Sequence, residues 1–330
     1  MKVQVELQKW PLLEPFRITG YVFEAIELLQ VRLETDGCVG WGEAAGVYYR
    51  RDTPAIMSEQ IEALKPALEA GVNRQSLQRL LPAGGARNAL DCALWDLEAQ
   101  LGGQPAWQIA ELPASPRPLM TTFTCSAAEP ASMAATAQKY SNARAIKLKL
   151  TGESEDAERV RAVRSARPDV WLSVDANQGF TPESLNRLMP VLVETDVQLI
   201  EQPFPVGQEH LLEGIRSPIR FAADESVQIL DDIAGVKGLF QVINIKLDKC
   251  GGLTEGLMMA RAARSMGLEV MVGNMLGTSL AMAPAFVLGQ MCDVVDLDGP
   301  IFLRDDRSPP VQYGQGMITC PASLWGHVRR

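Results

Sequence analysis

Ala145-Ile146-Lys147-Leu148-Lys149-Leu150 is the stretch that decides the fold, because it alternates apolar and charged residues in a short run typical of a β-strand. Seven other apolar runs recur roughly every 22 to 28 residues, and a helical segment follows most of them. Strands that alternate with helices are typical of a parallel sheet, and eight at this spacing favour a closed barrel over an open sheet. We place the other strands at 119–124, 170–176, 198–202, 220–224, 242–247, 268–272 and 293–297.

The residues before this series have a different pattern and predict a separate α+β unit. Two segments of alternating apolar residues, 2–10 and 27–35, predict strands. Helical periodicity follows at 54–70 and 86–101, where Gly102-Gly103 ends the second helix. A proline-rich stretch at 112–118 predicts a linker into the barrel.

Composition excludes several classes of function. The 330 residues include 40 acidic and 31 basic side chains, and a net charge of −9 argues against nucleic acid or an anionic membrane as a partner. Only His210 and His327 are present, so zinc catalysis and a Ser-His-Asp triad are poor candidates. Six scattered cysteines without a C-x-x-C pair, and an N-terminus without a signal-peptide pattern, predict a cytoplasmic protein with reduced thiols.

Three acidic residues end successive predicted strands. Asp175, Glu201 and Asp224 each follow an apolar run, and the carboxyl ends of barrel strands meet in one cavity. Three buried carboxylates repel one another, and a hard divalent cation that takes oxygen ligands relieves this repulsion. A single acid at a strand end also caps the following helix, but three on successive strands favour an Mg²⁺ site.

Lysines occupy the strands on either side of these acids. Lys147 and Lys149 are two residues apart and therefore share one face of their strand, where we expect each to depress the pKa of the other. Lys246 lies on the strand opposite, whereas Lys249 lies beyond that strand and is expected to be a solvated loop charge. A metal flanked by lysines suits removal of a proton next to a carboxylate, with the enediolate stabilised by the metal.

These motifs resemble those of the muconate-lactonizing subgroup of the enolase superfamily over nearly the whole chain. The resemblance rests on Lys147-x-Lys149, Asp175-Ala176-Asn177, Glu201-Gln202-Pro203, Asp224-Glu225-Ser226 and Asn244-Ile245-Lys246. It implies an α/β fold: a modified TIM barrel, (β/α)₇β-like, with an α+β N-terminal capping domain. The implied domains are a capping domain at 1–112, a catalytic barrel at 113–310 and a C-terminal segment at 311–330 that returns to the capping domain. By the same resemblance Lys149 and Lys246 are the acid/base pair, Lys147 supports Lys149, and Asp175, Glu201 and Asp224 hold one Mg²⁺.

The substrate is indicated by Asp296-Leu297-Asp298, which resembles the D-x-D of dipeptide epimerases, most often L-Ala-D/L-Glu epimerases. Two carboxylates on one face suit the α-ammonium of a dipeptide, whereas muconate and succinylbenzoate have no ammonium. The Ala-Glu epimerases of the family have an arginine a few residues beyond the Pro-Phe pair, where this chain has Gly20 and Tyr21. The residues expected to bind substrate are therefore Asp296, Asp298, Arg17, Tyr21, Phe23 and Thr122.

Several alternatives stay open at this point. One is an N-acylamino acid racemase or an o-succinylbenzoate synthase-like enzyme, and another is a dipeptide epimerase with apolar or other non-Glu specificity. A Schiff-base aldolase would also use barrel lysines, and a non-catalytic binding barrel is a further possibility. The expected partner is a small dipeptide, with no nucleic acid and no membrane. A homo-oligomer and a role in peptidoglycan recycling are both compatible with this interpretation.

Overall fold

The structure, a computed structural model, describes residues 1–18 and 20–328. Its N-terminal part is an antiparallel three-stranded sheet packed against helices. The first two strands are longer than predicted and form one extended hairpin, with a register break between Pro11 and Phe16. A helix that the sequence interpretation missed begins after Asn73, whose side chain and Ser76 form a capping box. These elements are β1 (Lys2–Ile18), β2 (Tyr21–Thr35), β3 (Cys38–Ala44), α1 (Pro54–Glu69), α2 (Arg74–Leu80), α3 (Gly85–Gly102) and α4 (Ala106–Ile109).

Helix α3 lies directly against strand β3. A Cβ atom on Gly42 would lie only 2.0 Å from the carbonyl oxygen of Ala89, so glycine is required for this approach. Every residue of the first three turns of α3 is buried, which makes this helix the core of the N-terminal domain.

The remainder of the chain forms the predicted barrel of eight parallel strands, which the structure confirms. The strands lie in the spatial order β12-β11-β10-β9-β8-β7-β6-β5, so that chain neighbours are also sheet neighbours. The barrel strands are β5 (Thr122–Cys125), β6 (Ala145–Lys149), β7 (Trp171–Asp175), β8 (Val197–Glu201), β9 (Arg220–Ala223), β10 (Val242–Lys246), β11 (Glu269–Gly273) and β12 (Val294–Val295). The helices are α5 (Pro130–Lys139), α6 (Asp156–Ala166), α7 (Pro182–Glu194), α8 (Ile233–Val236), α9 (Leu247–Cys250), α10 (Leu253–Ser265) and α11 (Ser279–Gly289).

Hydrogen bonds from side chains join the two edge strands of the barrel. The Oδ2 atom of Asp298 accepts from the backbone N–H of Thr124 at 2.7 Å, and Leu297 N donates to Thr121 Oγ1 at 2.9 Å. A 3₁₀ turn at Gly299–Phe302 follows β12 in place of an eighth α-helix, in agreement with the (β/α)₇β-like expectation.

Alternation along each strand separates side chains that face the helices from side chains that face the barrel interior. Ile146 and Leu148 face outward into the large core beneath the helices, whereas Lys147 and Lys149 face inward. The bottom of the barrel interior is filled by an apolar cluster of Leu199, Ala222, Val242, Met271 and Val294. The polar strand ends therefore lie above a packed floor.

The C-terminal segment contacts both domains. Strand β13 (Gln312–Gly314) pairs with β14 (Met317–Thr319), and β14 in turn pairs with β4 (Leu119–Met120). Trp325 Nε1 then donates to the carbonyl oxygens of Trp41 and Cys92 in the N-terminal domain, at 3.0 and 3.1 Å. Residues 329 and 330 lie outside the described part of the chain. Among the helices described, none is long and apolar enough to cross a membrane.

Candidate active site

The charged strand ends predicted from the sequence do converge at the mouth of the barrel. A cavity of about 830 Å³ separates this mouth from the N-terminal domain. Lys147, Lys149 and Lys246 line the cavity from opposite sides of the barrel, together with Asp296 and Asp298. The predicted metal ligands lie deeper, and each is at most 1% exposed: Asp175, Glu201 and Asp224.

Each of the three lysines is paired with a carboxylate. Lys149 Nζ lies 2.6 Å from Asp175 Oδ2, and Lys246 Nζ lies 2.5 Å from Asp224 Oδ2. Lys147 instead contacts Asp296 most closely, and its Nζ is 3.7 Å from Glu201 Oε2. The two lysines on β6 therefore share a face, as predicted, but the nearest carboxylate of Lys147 is Asp296 and that of Lys149 is Asp175.

The pKa of Lys147 departs from the expectation. Burial alone would lower the pKa of this ammonium, but the charges of Asp296, Glu201 and Asp175 outweigh burial and raise it. The pKa of Lys246 is also raised, since Asp224 and Glu201 overcome its desolvation. The prediction that neighbouring lysines depress each other's pKa was wrong for Lys147, because the charges of the surrounding carboxylates outweigh burial and the positive charge of Lys246.

Lys249 is a second correction, since it is a buried residue of the site and not a solvated loop charge. It is 1% exposed. Its Nζ donates to Asp224 Oδ1 at 2.6 Å and to the carbonyl oxygen of Asn244 at 3.0 Å. Strand β10 passes directly into the one-turn helix α9, which directs this side chain back into the barrel. The Asp224 carboxylate is therefore held by one lysine on each oxygen, and together they lower its pKa although burial opposes them.

The acids beside Asp224 have raised pKa values. Burial, reinforced by the charge of Asp175, raises the pKa of Glu201 to about 7. Burial and the charge of Asp224 raise the pKa of Glu225 to about 8. The Oε2 atoms of Glu201 and Glu225 are buried without a hydrogen-bond partner. The site therefore holds more carboxylate oxygen than its own donors satisfy.

A formal charge count agrees with this excess. Four ammonium groups and six carboxylates are buried at the mouth, and their net charge is −2 when all ten are ionised. These groups belong to Lys147, Lys149, Lys246, Lys249, Asp175, Glu201, Asp224, Glu225, Asp296 and Asp298. One divalent cation would balance this charge, and carboxylate oxygens are the ligands that Mg²⁺ takes. As placed, no three His, Cys, Asp or Glu side chains of the described chain are arranged to hold a metal ion. Lysines lie against the same carboxylates, so metal ligation would require these pairs to open.

The D-x-D carboxylates lie at the cavity wall and are already engaged. Asp296 Oδ2 contacts Lys147, and its Oδ1 accepts from the hydroxyl of Thr122. Lys147 lowers the pKa of Asp296 against the effect of burial. The pKa of Asp298 is raised to about 6 by burial and by the charge of Asp296. The two acids are thus placed as predicted, and Thr122 orients one of them.

The N-terminal domain covers the cavity with an apolar wall formed by the hairpin. Phe16, Ile18, Val22 and Phe23 line it, and no arginine of the described chain does so. Arg17 is not among the lining residues, because it alternates with Phe16 and Ile18 along β1. Its predicted place in the cavity is therefore wrong.

Tyr21 also lies outside the cavity lining, but its ring supports residues that do line it. It stacks on Phe23 with ring centroids 6.1 Å apart and meets Tyr48 edge-on at 4.6 Å. Tyr48 lines the cavity and was missed by the sequence interpretation. The aromatic pair Tyr48-Tyr49 after Gly46 was a visible signal, but only the folded loop shows that it faces the site.

Comparison with known proteins agrees with this geometry. Residues 131–324 match the family described as enolase C-terminal domain-like, and residues 1–110 match the mandelate racemase / muconate lactonizing enzyme, N-terminal domain. The chain belongs to the enolase superfamily. The resemblance drawn from the motifs is therefore confirmed, as is the fold that it implied.

Relatives of this superfamily member are isomerases, and we assign the chain to that enzyme class. It is 37% identical to L-Ala-D/L-Glu epimerase of Escherichia coli over 318 residues, which cover 96% of this chain and 98% of that protein. It is 36% identical to N-acetyl-D-glutamate racemase of a Pseudoalteromonas species, covering 87% and 91%. The chain also superposes with a TM-score of 0.95 on a solved structure from Agrobacterium tumefaciens. That protein is described as an enolase family member with homology to dipeptide epimerases, and its structure contains bound sodium and L-Ala-L-Glu. It is 37% identical, with 98% of this chain and 99% of that chain covered.

Proposed function

We propose that this protein epimerises a dipeptide by moving its α-proton between two lysines. The observation that carries the proposal is the placement of Lys149 on β6 and Lys246 on β10, four strands apart in an eight-stranded barrel. Both line the same cavity, so a substrate α-carbon between them presents one face to each amine. Such a pair can remove a proton from one face and return another to the opposite face.

Asp175, Glu201 and Asp224 would hold an Mg²⁺ ion, as the excess negative charge and the Glu201 oxygen without a hydrogen-bond partner support. When bound, this ion would stabilise the negative charge that forms on the substrate carboxylate. Lys147, held as an ammonium by Asp296, adds a fixed positive charge beside the same point. Lys149 in its neutral form takes the proton, and the ammonium of Lys246 supplies one.

The D-x-D pair supports a substrate with a free amino group. Asp296 and Asp298 face the cavity and are 2% and 3% exposed, so an ammonium bound there is held in a site of low dielectric. A dipeptide with a free N-terminus carries that group, and L-Ala-D/L-Glu is the substrate that the Escherichia coli relative supports. The six cysteines, none in a disulfide, fit a reducing compartment such as the cytoplasm. Peptidoglycan recycling is the role that an Ala-Glu substrate would imply.

A second candidate, a dipeptide with an apolar second residue, is favoured by the cavity wall. Phe23 and its apolar neighbours Ile18 and Val22 lie where a substrate side chain would meet the N-terminal domain. Lys9 also lines the cavity, but it lies nine residues before Ile18 on β1 and forms an exposed pair with Glu27 at 3.7 Å. These three apolar residues offer a Glu side chain no counter-charge, whereas an apolar side chain would bury its surface against the hairpin.

The proposal is tested by ¹H NMR in D₂O with a panel of L-Ala-L-Xaa dipeptides and their N-acetylated analogues. The expected result is loss of the α-proton signal of the second residue with a free-amine dipeptide, abolished by EDTA and restored by Mg²⁺. The Xaa that exchanges fastest separates the Glu from the apolar candidate. Exchange that persists after EDTA treatment, or trapping of a carbonyl substrate by borohydride, would instead support a Schiff-base enzyme.

A further inference from the structure

The segment that follows Lys246 is bound by the N-terminal domain. Strand β10 ends at Lys246, and α9, Gly251, Gly252 and the first turn of α10 follow without a linker. We call residues 247–254 the α9 corner. Because the corner begins at the residue next to Lys246, a shift of the corner changes the position of that lysine.

Two carbonyl oxygens and one backbone N–H of the corner form hydrogen bonds with residues of the N-terminal domain. Arg87 on α3 donates to the carbonyl oxygens of Cys250 at 2.6 Å and of Gly251 at 3.3 Å. Asp91, one turn further along α3, accepts from the backbone N–H of Thr254 at 2.9 Å. The corner is thus bound at its centre and at its far end by one buried helix.

The first turn of the corner is bound to the N-terminal domain through Asp248. Asp248 Oδ1 accepts from the backbone N–H groups of Ala45 and Gly46, both at 2.9 Å. Residues 45–46 lead into the loop that places Tyr48 at the cavity. The same contact therefore connects the position of Lys246 to the cover of the site.

The two glycines of the corner show how close this contact is. A Cβ on Gly251 would lie 2.3 Å from Arg87 Nε, and a Cβ on Gly252 would lie 2.5 Å from Asp91 Cβ. Both have positive φ angles, +78° and +118°, so glycine is required by conformation as well as by space.

The lysine on the opposite side of the barrel is supported differently. The segment after β6 is bound by Asp156 of the barrel itself, whose carboxylate accepts from Thr151 N and Gly152 N at 3.2 and 2.8 Å. The segment after Lys246 is therefore bound by the N-terminal domain, whereas the segment after Lys149 is bound by the barrel.

We propose that Arg87, with Asp91 and Asp248, positions Lys246, so that α3 controls proton transfer on one face of the substrate only. This inference rests on the two-lysine reaction proposed above. These groups touch neither substrate nor reacting atoms, and they act through the α9 corner. A displacement of about 1 Å at a reacting group can cost about 100-fold in rate, so a loosened corner is measurable.

The experiment uses Arg87→Met, with Arg87→Lys as the conservative variant and Arg32→Met as the matched control. Arg32 is a partly buried guanidinium of the same domain, but it pairs with Glu34 and Gln4 on the sheet and not with the corner. Deuterium uptake is followed separately for L-Ala-L-Glu and L-Ala-D-Glu, or for the L-Ala-Leu pair if the wild type exchanges it faster. Hydrogen-exchange mass spectrometry of peptides covering 247–254 and 145–149 measures amide exchange in the corner and in β6 independently of catalysis.

Arg87→Met should lower kcat for α-proton exchange at least tenfold for the epimer whose exchange Lys246→Ala abolishes, with KM little changed. Exchange of the other epimer should stay within about threefold of wild type, and Arg87→Lys should restore part of the loss. Amide exchange should rise in 247–254 but not in 145–149, and Arg32→Met should leave both unchanged.

Equal loss for both epimers, or unchanged amide exchange in 247–254, would overturn the positioning role. If Arg87→Met does not fold, Asp248→Ala removes the neighbouring contact and must meet the same criteria. A wild type that exchanges neither epimer would refute the proposed reaction, whereas the amide-exchange result still decides whether α3 holds the corner.

Discussion

Replacement of Asp296 by Asn tests how the substrate amine is recognised. Asp296 is 2% exposed and pairs with Lys147, so the substitution removes one buried negative charge while it conserves side-chain size. A charge-assisted contact is worth about 1.5–3 kcal/mol, which corresponds to about 10- to 150-fold in kcat/KM for a dipeptide with a free N-terminus. Lys147 also loses its nearest partner, which lowers the rate for every substrate.

The assay is therefore the ratio of kcat/KM for a dipeptide to kcat/KM for its N-acetylated analogue, since the effect on Lys147 cancels in this ratio. We expect the ratio to fall about 10- to 150-fold in Asp296→Asn. Asp293→Asn is the matched control, because it makes the same chemical change three residues earlier in a surface pair with Arg264. An unchanged ratio in Asp296→Asn would refute recognition of the ammonium by this acid and would favour an N-acylated substrate.

Three further outcomes follow from the same geometry. Glu201→Gln should weaken Mg²⁺ binding at least tenfold by calorimetry, because it removes a buried carboxylate from the site; unchanged affinity would exclude Glu201 as a ligand. Phe23→Arg should shift the ratio of kcat/KM for L-Ala-L-Glu over L-Ala-L-Leu toward Glu by about tenfold or more, and no shift would place the substrate side chain elsewhere. Leu148→Ala should lower the free energy of unfolding by about 2–5 kcal/mol in urea, since this outward side chain is fully buried; a loss under 1 kcal/mol would contradict its place in the core.

The strand ends could be predicted because a barrel imposes one rule on every strand. Residues alternate between the helix layer and the interior, and the last inward position of each strand faces the cavity. Lys147, Lys149 and Lys246 face inward as this rule requires and line the cavity, and the predicted limits of the barrel strands differ from the observed ones by at most three residues.

Features set by contacts between distant segments could not be predicted in this way. Lys249 was misplaced because its direction depends on a one-turn helix that begins immediately after β10. Arg17 was misplaced because the register of the hairpin, broken between Pro11 and Phe16, determines which side faces the cavity. The role of Arg87 could not be predicted, because the apolar periodicity at 86–101 predicts the helix but does not show which of its buried side chains contacts the barrel.

The most direct test of the account is α-proton exchange in single-lysine variants. ¹H NMR in D₂O is recorded for each pure epimer with Lys149→Ala and with Lys246→Ala, which remove one of the two facing amines. We predict that neither variant epimerises, that each still exchanges the α-proton of one epimer, and that the two variants prefer opposite epimers. Exchange of both epimers by both variants, or epimerisation near the wild-type rate by either one, would contradict the two-lysine reaction.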